Sequence, residues 1–222
     1  LSDPASPGAG RHPLPPAAKM RSLFSRLGID AGTQVVLYDD ASGSVAARAW
    51  WMLHYLGHRA AAVMDGGWQA WLAGGYPVET GERAGSPRVF QGTPDTARLA
   101  TLDDFPLRTL LVDSREPERY QGAREPLDPV AGHIPGAVNY YWKSNIMADG
   151  RFHPPGRLKR QFAALFGDSD PAAAVFYCGS GVTACHNLLA AQHAGYPLPR
   201  LYAGSWSQWC RRPERPVATG LT

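Results

Sequence analysis

The segment 178–183, with the sequence CGSGVT, contains residue types suited to nucleophilic sulfur chemistry. The apolar run AAAVFY ends on Cys178, and only small residues or residues with hydroxyl groups precede the next helical pattern, apart from Val182. Such a turn lets several backbone N–H groups converge on one point, and the following helix adds the positive end of its dipole. Both features stabilise a thiolate or a persulfide anion, so they predict that Cys178 is a nucleophile. The alternative is an inert cysteine buried in a strand-to-helix turn.

The remaining residues of this loop are predicted to contact a sulfur-containing substrate. Gly179 and Gly181 permit backbone conformations closed to other residues and leave room for a second sulfur atom. The curled backbone continues through Val182, and Ser180 and Thr183 supply hydroxyl groups that can donate to an anion. For Thr183 an N-cap role on the next helix is the alternative, and the two roles are compatible.

An internal repeat indicates which elements position this loop. Residues 36–78 and 175–217 each contain an apolar strand ending in Tyr, a small-residue turn, an amphipathic helix and a second short strand. Both copies end with Gly-x-Trp and Pro-Val, which makes chance similarity a poor explanation. This order of elements predicts a parallel sheet with crossover helices. In the first copy Asp39 or Asp40 occupies the cysteine position, and a carboxylate cannot carry sulfane sulfur, so that copy is predicted to be catalytically silent.

The second copy is preceded by the segments TLLVDSREPERY and AGHIPGAVNYYW, which have no counterpart before the first copy. The register of the repeat places those counterparts upstream of residue 1. We therefore expect residues 1–92 to form a domain incomplete at its N-terminus and residues 93–222 to form the catalytic domain. On the usual size of a domain, the native polypeptide is expected to be longer by about 50–70 residues.

Composition argues against several classes of protein. The formal net charge is +3 and the arginines are scattered, which does not indicate nucleic-acid binding. No apolar run approaches the length needed to span a membrane. The three cysteines lack Cys-x-x-Cys spacing, which argues against a disulfide framework or a zinc site. A reducing compartment, and hence a cytoplasmic location, is expected.

Four motifs together resemble one family. DSREPERY, EPLDPVAGHIPGAVN, CGSGVTAC and LYAGSWSQW occur in the order found in the C-terminal domain of tandem rhodanese-type sulfurtransferases. The resemblance runs from about residue 109 to the end, and the first copy extends it over roughly 14–78. It implies two α/β domains, each a mainly parallel sheet flanked by helices, and a persulfide on Cys178. It implies no metal and no organic cofactor.

The resemblance also bears on the sulfur donor. The CGSGVT loop is similar to that of mercaptopyruvate-using members, in which the residue matching Ser180 belongs to a proposed proton-transfer triad. Thiosulfate-using members typically have basic residues at the positions of Gly179 and Ser180. We therefore expect transfer from 3-mercaptopyruvate to a thiol or cyanide, with a thioredoxin-like protein as a possible acceptor and thiosulfate as the alternative donor. The triad's acid and histidine are expected upstream of residue 1, because His12 lies in a Pro/Gly-rich loop and nothing in 1–33 matches them.

Arg119 is the predicted anion-binding residue. It matches a substrate-binding arginine of the family, and a guanidinium can hold a carboxylate in bidentate fashion. The alternative is an exposed arginine paired with a neighbouring glutamate in REPERY. The mercaptopyruvate pattern has a second arginine after a Glu-Pro pair, but here Leu127 follows that pair, so Arg124 is predicted to substitute for it.

Two other functions remain as alternatives. Phosphatases with a related cysteine loop need Cys-x5-Arg, and Ala184 stands where that arginine would be. A non-catalytic sulfur-relay or regulatory module is the other alternative, and the intact cysteine argues against it.

Overall fold

The computed structural model describes residues 1–6, 8–81, 85–106 and 108–221. The α-helices of this part of the chain are α1 Ala17–Arg26, α2 Ala46–Tyr55, α3 Gly67–Ala73, α4 Pro117–Gln121, α5 Pro155–Phe166, α6 Ala184–His193 and α7 Ser205–Trp209. The strands are β1 Val35–Leu37, β2 Ala61–Val63, β3 Leu99–Ala100, β4 Leu111–Asp113, β5 Ala137–Asn139, β6 Val175–Tyr177 and β7 Arg200–Tyr202.

The strands form two parallel sheets. Strands β1 and β2 pair in the first half of the chain, and the second sheet has the order β3-β7-β6-β4-β5. Every neighbouring pair in this second sheet is parallel. The α/β class with parallel sheets and crossover helices is therefore confirmed. The division at residue 92 falls between the two sheets and stays a prediction.

One apolar core joins the two halves through α2 and α6. Trp51 and Leu53 on α2 and Leu188 and Ala191 on α6 belong to the same buried cluster. All ten residues of α2 are buried, as in a helix covered on every side. The loops that precede α2 and α6 are consequently held in a fixed relation to each other.

The aromatic residues of the first half divide into two groups. Trp50 and Trp51 lie in the core. Trp68 and Trp71 are only partly buried and line a hollow of 340 Å³ beside β1. No α-helix in the described part of the chain has the length and hydropathy required to cross a membrane.

Candidate active site

Cys178 lies directly after β6, at the carboxyl edge of the larger sheet. The residue is buried, with only 1% of its surface exposed. Its backbone is held from α7: the carbonyl accepts from the Trp206 N–H at 3.0 Å, and the N–H donates to Ser205 Oγ at 3.1 Å. Gly181 N–H donates to Cys178 Sγ at 3.2 Å. The sulfur is therefore held at the mouth of the loop by a backbone donor of that loop.

The loop keeps further donors available. Among the described residues, four N–H groups of the loop have no hydrogen-bond partner: those of Gly179, Ser180, Val182 and Thr183. Gly181 has a φ of +77°, and a Cβ there would collide with the Ala203 carbonyl oxygen, so only glycine fits. Thr183 occupies the N-cap position of α6, but its side chain makes no capping bond. The arrangement resembles the backbone nests that bind anions.

His12 contacts the loop, which corrects the expectation that nothing in 1–33 could serve Ser180. His12 Nδ1 lies 2.7 Å from Ser180 Oγ, and Ser180 is buried. The Pro/Gly-rich segment that carries His12 folds back onto α7, where Arg11 N–H donates to Ser207 Oγ at 3.0 Å. Gln208 Nε2 also donates to the Gly8 carbonyl at 2.8 Å. This segment has no helical or strand periodicity, so its sequence alone did not indicate where His12 would lie.

The surroundings of His12 favour a neutral imidazole. Burial, followed by the charges of Arg11 and Arg48, lowers the pKa of His12 below its usual value of 6.5. A neutral imidazole has one nitrogen that accepts a proton and one that can give a proton away. His12 and Ser180 are thus suited to move a proton at neutral pH. No acidic partner of His12 is found among the described residues.

Arg119 lies beside the cysteine loop and is only slightly exposed. Its Nε and Nη2 donate to Glu125 Oε1 at 3.1 and 2.7 Å, so the alternative of an exposed arginine paired within REPERY was wrong. Burial alone would raise the pKa of Glu125, but bonds from Arg119 and the Leu127 N–H hold that pKa below its usual value. A methyl group placed on Gly179 would lie 3.5 Å from Arg119 Nη1. The guanidinium therefore faces the loop while Glu125 orients it.

Arg11 is a second guanidinium at the same point, and the sequence reasoning missed it. Its Nη2 would lie 2.8 Å from a methyl group on Gly179, and its Nη1 pairs with Asp128. Asp128 has a fully buried side chain that also approaches Arg119 Nη2 at 3.5 Å. Arg124 is exposed, and its side chain makes no hydrogen bond or ion pair with the loop in the described structure. The second cation at the loop is thus Arg11 and not Arg124. The one sequence feature that pointed to such a residue was Leu127, which stands where the mercaptopyruvate pattern has its second arginine.

The other two cysteines are poor nucleophiles. Cys185 lies on α6, fully buried, and its Sγ donates to the Gly181 carbonyl at 3.3 Å. Burial raises the pKa of Cys185 to about 12 and also raises that of the partly exposed Cys210. Cys185 is therefore a residue of the apolar core.

The first half contains a loop of the same design, in which a carboxylate fills the nest. Asp39 follows β1, and its two oxygens accept N–H bonds from Ala41, Gly43, Val45 and Ala46 at 2.7–2.9 Å. Burial alone would raise the pKa of Asp39, but these four donors lower it. Of the two predicted positions, Asp39 is the one that takes the place of the cysteine.

Known sulfurtransferases match this chain over most of its length. The rhodanese-like domain matches residues 7–74 and 97–212. The chain is 49% identical over 229 residues to the probable 3-mercaptopyruvate sulfurtransferase of Pseudomonas aeruginosa, covering 99% of this chain and 80% of that protein. It is 38% identical over 220 residues to the thiosulfate sulfurtransferase of Rattus norvegicus, covering 93% of this chain and 73% of the relative.

A solved structure supports the same relationship. The 3-mercaptopyruvate sulfurtransferase from Leishmania major superposes with a TM-score of 0.81 at 32% identity over 93% of this chain. The chain spans 59% of the length of that Leishmania protein. The fold is thus shared with this relative, and the chain belongs to the rhodanese-like family of sulfurtransferases.

Proposed function

We propose that this protein transfers sulfane sulfur from 3-mercaptopyruvate to a thiol or cyanide through a persulfide on Cys178. The observation that carries the proposal is the contact between Ser180 and His12 beside the cysteine loop, at 2.7 Å. A donor whose leaving group must be protonated needs such a pair. The other loop residues in the proposal are Gly179, Gly181, Val182 and Thr183, whose backbone surrounds the incoming sulfur.

The donor's carboxylate is proposed to bind between Arg11 and Arg119. Both guanidinium groups face Gly179, and guanidinium groups bind carboxylates through charge-assisted hydrogen bonds. Glu125 and Asp128 neutralise part of this charge and hold the two side chains in place. A Cβ at Gly179 would lie 2.8 Å from Arg11 Nη2, so the lack of a side chain there lets both guanidinium groups lie close to the loop.

In the first half-reaction the Cys178 thiolate attacks the sulfur of 3-mercaptopyruvate. An S–S bond forms and the C–S bond breaks, so the electron pair stays on carbon as the enolate of pyruvate. The enolate takes a proton delivered through Ser180 and His12 and leaves as pyruvate. The products are a persulfide on Cys178 and pyruvate, and the burial of Cys178 protects that persulfide from water.

In the second half-reaction an acceptor thiolate attacks the outer sulfur of the persulfide and regenerates the Cys178 thiolate. A thioredoxin-like protein is one proposed acceptor. The three cysteines are free thiols in the structure, which supports a reducing, cytoplasmic location.

Thiosulfate is the second candidate donor, because the chain is 38% identical to a thiosulfate sulfurtransferase. Sulfite leaves as a stable anion and needs no proton, so the Ser180–His12 pair would have no task in that reaction. The deciding measurement compares initial rates with 3-mercaptopyruvate and with thiosulfate at equal concentration and pH. We expect 3-mercaptopyruvate to be the faster donor. A preference for thiosulfate would overturn the donor assignment and leave the persulfide on Cys178 standing.

A further inference from the structure

Arg48 is a buried arginine that the reaction described above does not use. It lies on α2, in the half of the chain without a cysteine, and is 1% exposed. Its Nη1 donates to the Gly181 carbonyl at 2.8 Å and its Nη2 to the His12 carbonyl at 3.4 Å. Both acceptors belong to segments that carry the proposed site.

The burial of this arginine calls for a physical reason. No carboxylate lies within ion-pair distance of Arg48 in the described part of the chain, and its Nε has no hydrogen-bond partner there. Burying an unpaired charge is costly, and an apolar residue would be the cheaper choice in the middle of a fully buried helix. The guanidinium instead makes two hydrogen bonds, one to each of the loops on either side of the Ser180–His12 contact.

The internal repeat supplies a comparison for this position. His186 occupies the equivalent place on α6, and its Nε2 lies 3.2 Å from the carbonyl of Ser42 in the first half's loop. Each helix thus reaches across to the loop that precedes the other. The two links differ in their carbonyl contacts: His186 meets a single carbonyl, whereas the forked guanidinium of Arg48 joins two.

We propose that Arg48 is a positioning residue, by which the half without a cysteine holds the catalytic loop and the His12 segment in register. The carbonyl of Gly181 is fixed, so the Gly181 N–H stays directed at Cys178 Sγ. The carbonyl of His12 is fixed, so its imidazole stays against Ser180. A hollow of 200 Å³ lined by His12, Arg48 and Val182 adjoins these contacts. This inference goes beyond the proposed function but rests on it for the task of His12.

The test compares Arg48→Gln and Arg48→Lys with a matched control, Arg21→Gln. Arg21 Nη1 also donates to a backbone carbonyl, that of Gly92, at 3.2 Å and away from the site. With 3-mercaptopyruvate, Arg48→Gln is expected to lower kcat about 10- to 100-fold, the size of effect that misplaced catalytic groups produce. Its KM is expected to change less than about threefold, because the proposed carboxylate site is untouched. Arg48→Lys keeps the charge but cannot reach both carbonyls, so its kcat is expected to lie between that of the wild-type protein and that of Arg48→Gln.

A second readout does not depend on the donor. The charged side chains facing the His12 ring are those of Arg11 and Arg48, and each lowers the pKa of His12. In an NMR titration, Arg48→Gln is expected to raise the pKa of His12 and shift the Gly181 amide signal, whereas Arg48→Lys is expected to shift the amide signal alone. Arg21→Gln is expected to alter neither.

The outcomes separate cleanly. A folded Arg48→Gln variant with unchanged kcat, His12 titration and Gly181 amide would overturn the proposal, and so would equal effects from Arg21→Gln. If Arg48→Gln does not fold, Arg48→Lys with wild-type kcat and amide signals overturns it. If the wild-type protein takes no sulfur from 3-mercaptopyruvate, the proposed function fails, and the NMR titration still decides the role of Arg48.

Discussion

The loops that follow β1 and β6 have the same backbone design, but the first encloses a carboxylate and the second a thiol. In the first, the carboxylate of Asp39 accepts four backbone N–H bonds, so a permanent anion fills the nest. In the second, Cys178 Sγ accepts one N–H bond, and four further N–H groups of the loop have no partner among the described residues. The difference shows what distinguishes a structural loop from a reactive one. The reactive loop keeps backbone N–H donors available for an anion that binds and is released during the reaction.

The largest effect should come from removing the sulfur on which this comparison depends. Cys178→Ser is expected to abolish turnover, because a serine hydroxyl cannot accept sulfane sulfur as a persulfide. Intact-mass measurement after mixing with donor should show a gain of about 32 Da, the mass of one sulfur atom, for the wild-type protein and none for the variant. The controls Cys185→Ala and Cys210→Ala should both gain the mass of one sulfur atom. A folded Cys185→Ala variant that fails to load would contradict the assignment of the nucleophile.

The next largest effect should come from His12. His12→Gln removes the proton carrier beside Ser180, and loss of general acid–base catalysis typically costs about 10²–10⁴-fold. We expect a loss of about 100-fold with 3-mercaptopyruvate and a much smaller one with thiosulfate, whose leaving group needs no proton. Initial rates with both donors measure this. Equal losses with the two donors would show that His12 acts on the loop's structure and not on the proton.

His12 and Arg11 also show where sequence reasoning stopped. The repeat and the CGSGVT motif predicted the parallel sheets, the helices and the nucleophile, because these depend on local patterns. The Pro/Gly-rich segment before α1 has no periodicity, and its contacts with Ser180 and Asp128 are made across most of the chain. No local pattern encodes such contacts, so both residues could be found only in the folded structure.

The filled nest of the first half can be tested directly. Asp39→Ala leaves four N–H groups without their acceptor and is expected to lower the free energy of unfolding by about 2–4 kcal/mol. Persulfide loading of Cys178 should persist at temperatures where the variant is folded, because the carboxylate takes no part in sulfur chemistry. The matched control is the neighbouring Asp40→Ala, whose side chain is exposed and should matter little. Urea unfolding of both variants makes the comparison, and equal stability losses would contradict it.

The smallest predicted effect separates the two cross-links between the halves by pH. At the link from α6, burial lowers the pKa of His186 to about 4, despite opposing effects of the Ser42 carbonyl and Asp39.

An unfolded chain binds a proton at His186 below about pH 6.5, and the folded protein does not until pH falls to about 4. The stabilisation from neutral His186 is therefore fully present above pH 6.5 and is lost as the pH falls towards 4. Between pH 7.5 and 5.5 we expect a loss of about 1 kcal/mol from this residue. His54, whose pKa burial also lowers to about 4, adds a loss of the same sign. Urea unfolding at several pH values in this range measures the free energy of unfolding as a function of pH. That free energy should fall less steeply with falling pH for His186→Gln, since glutamine does not titrate and can still donate to the Ser42 carbonyl. If the variant's free energy of unfolding depended on pH as steeply as that of the wild type, burial would not be holding His186 neutral.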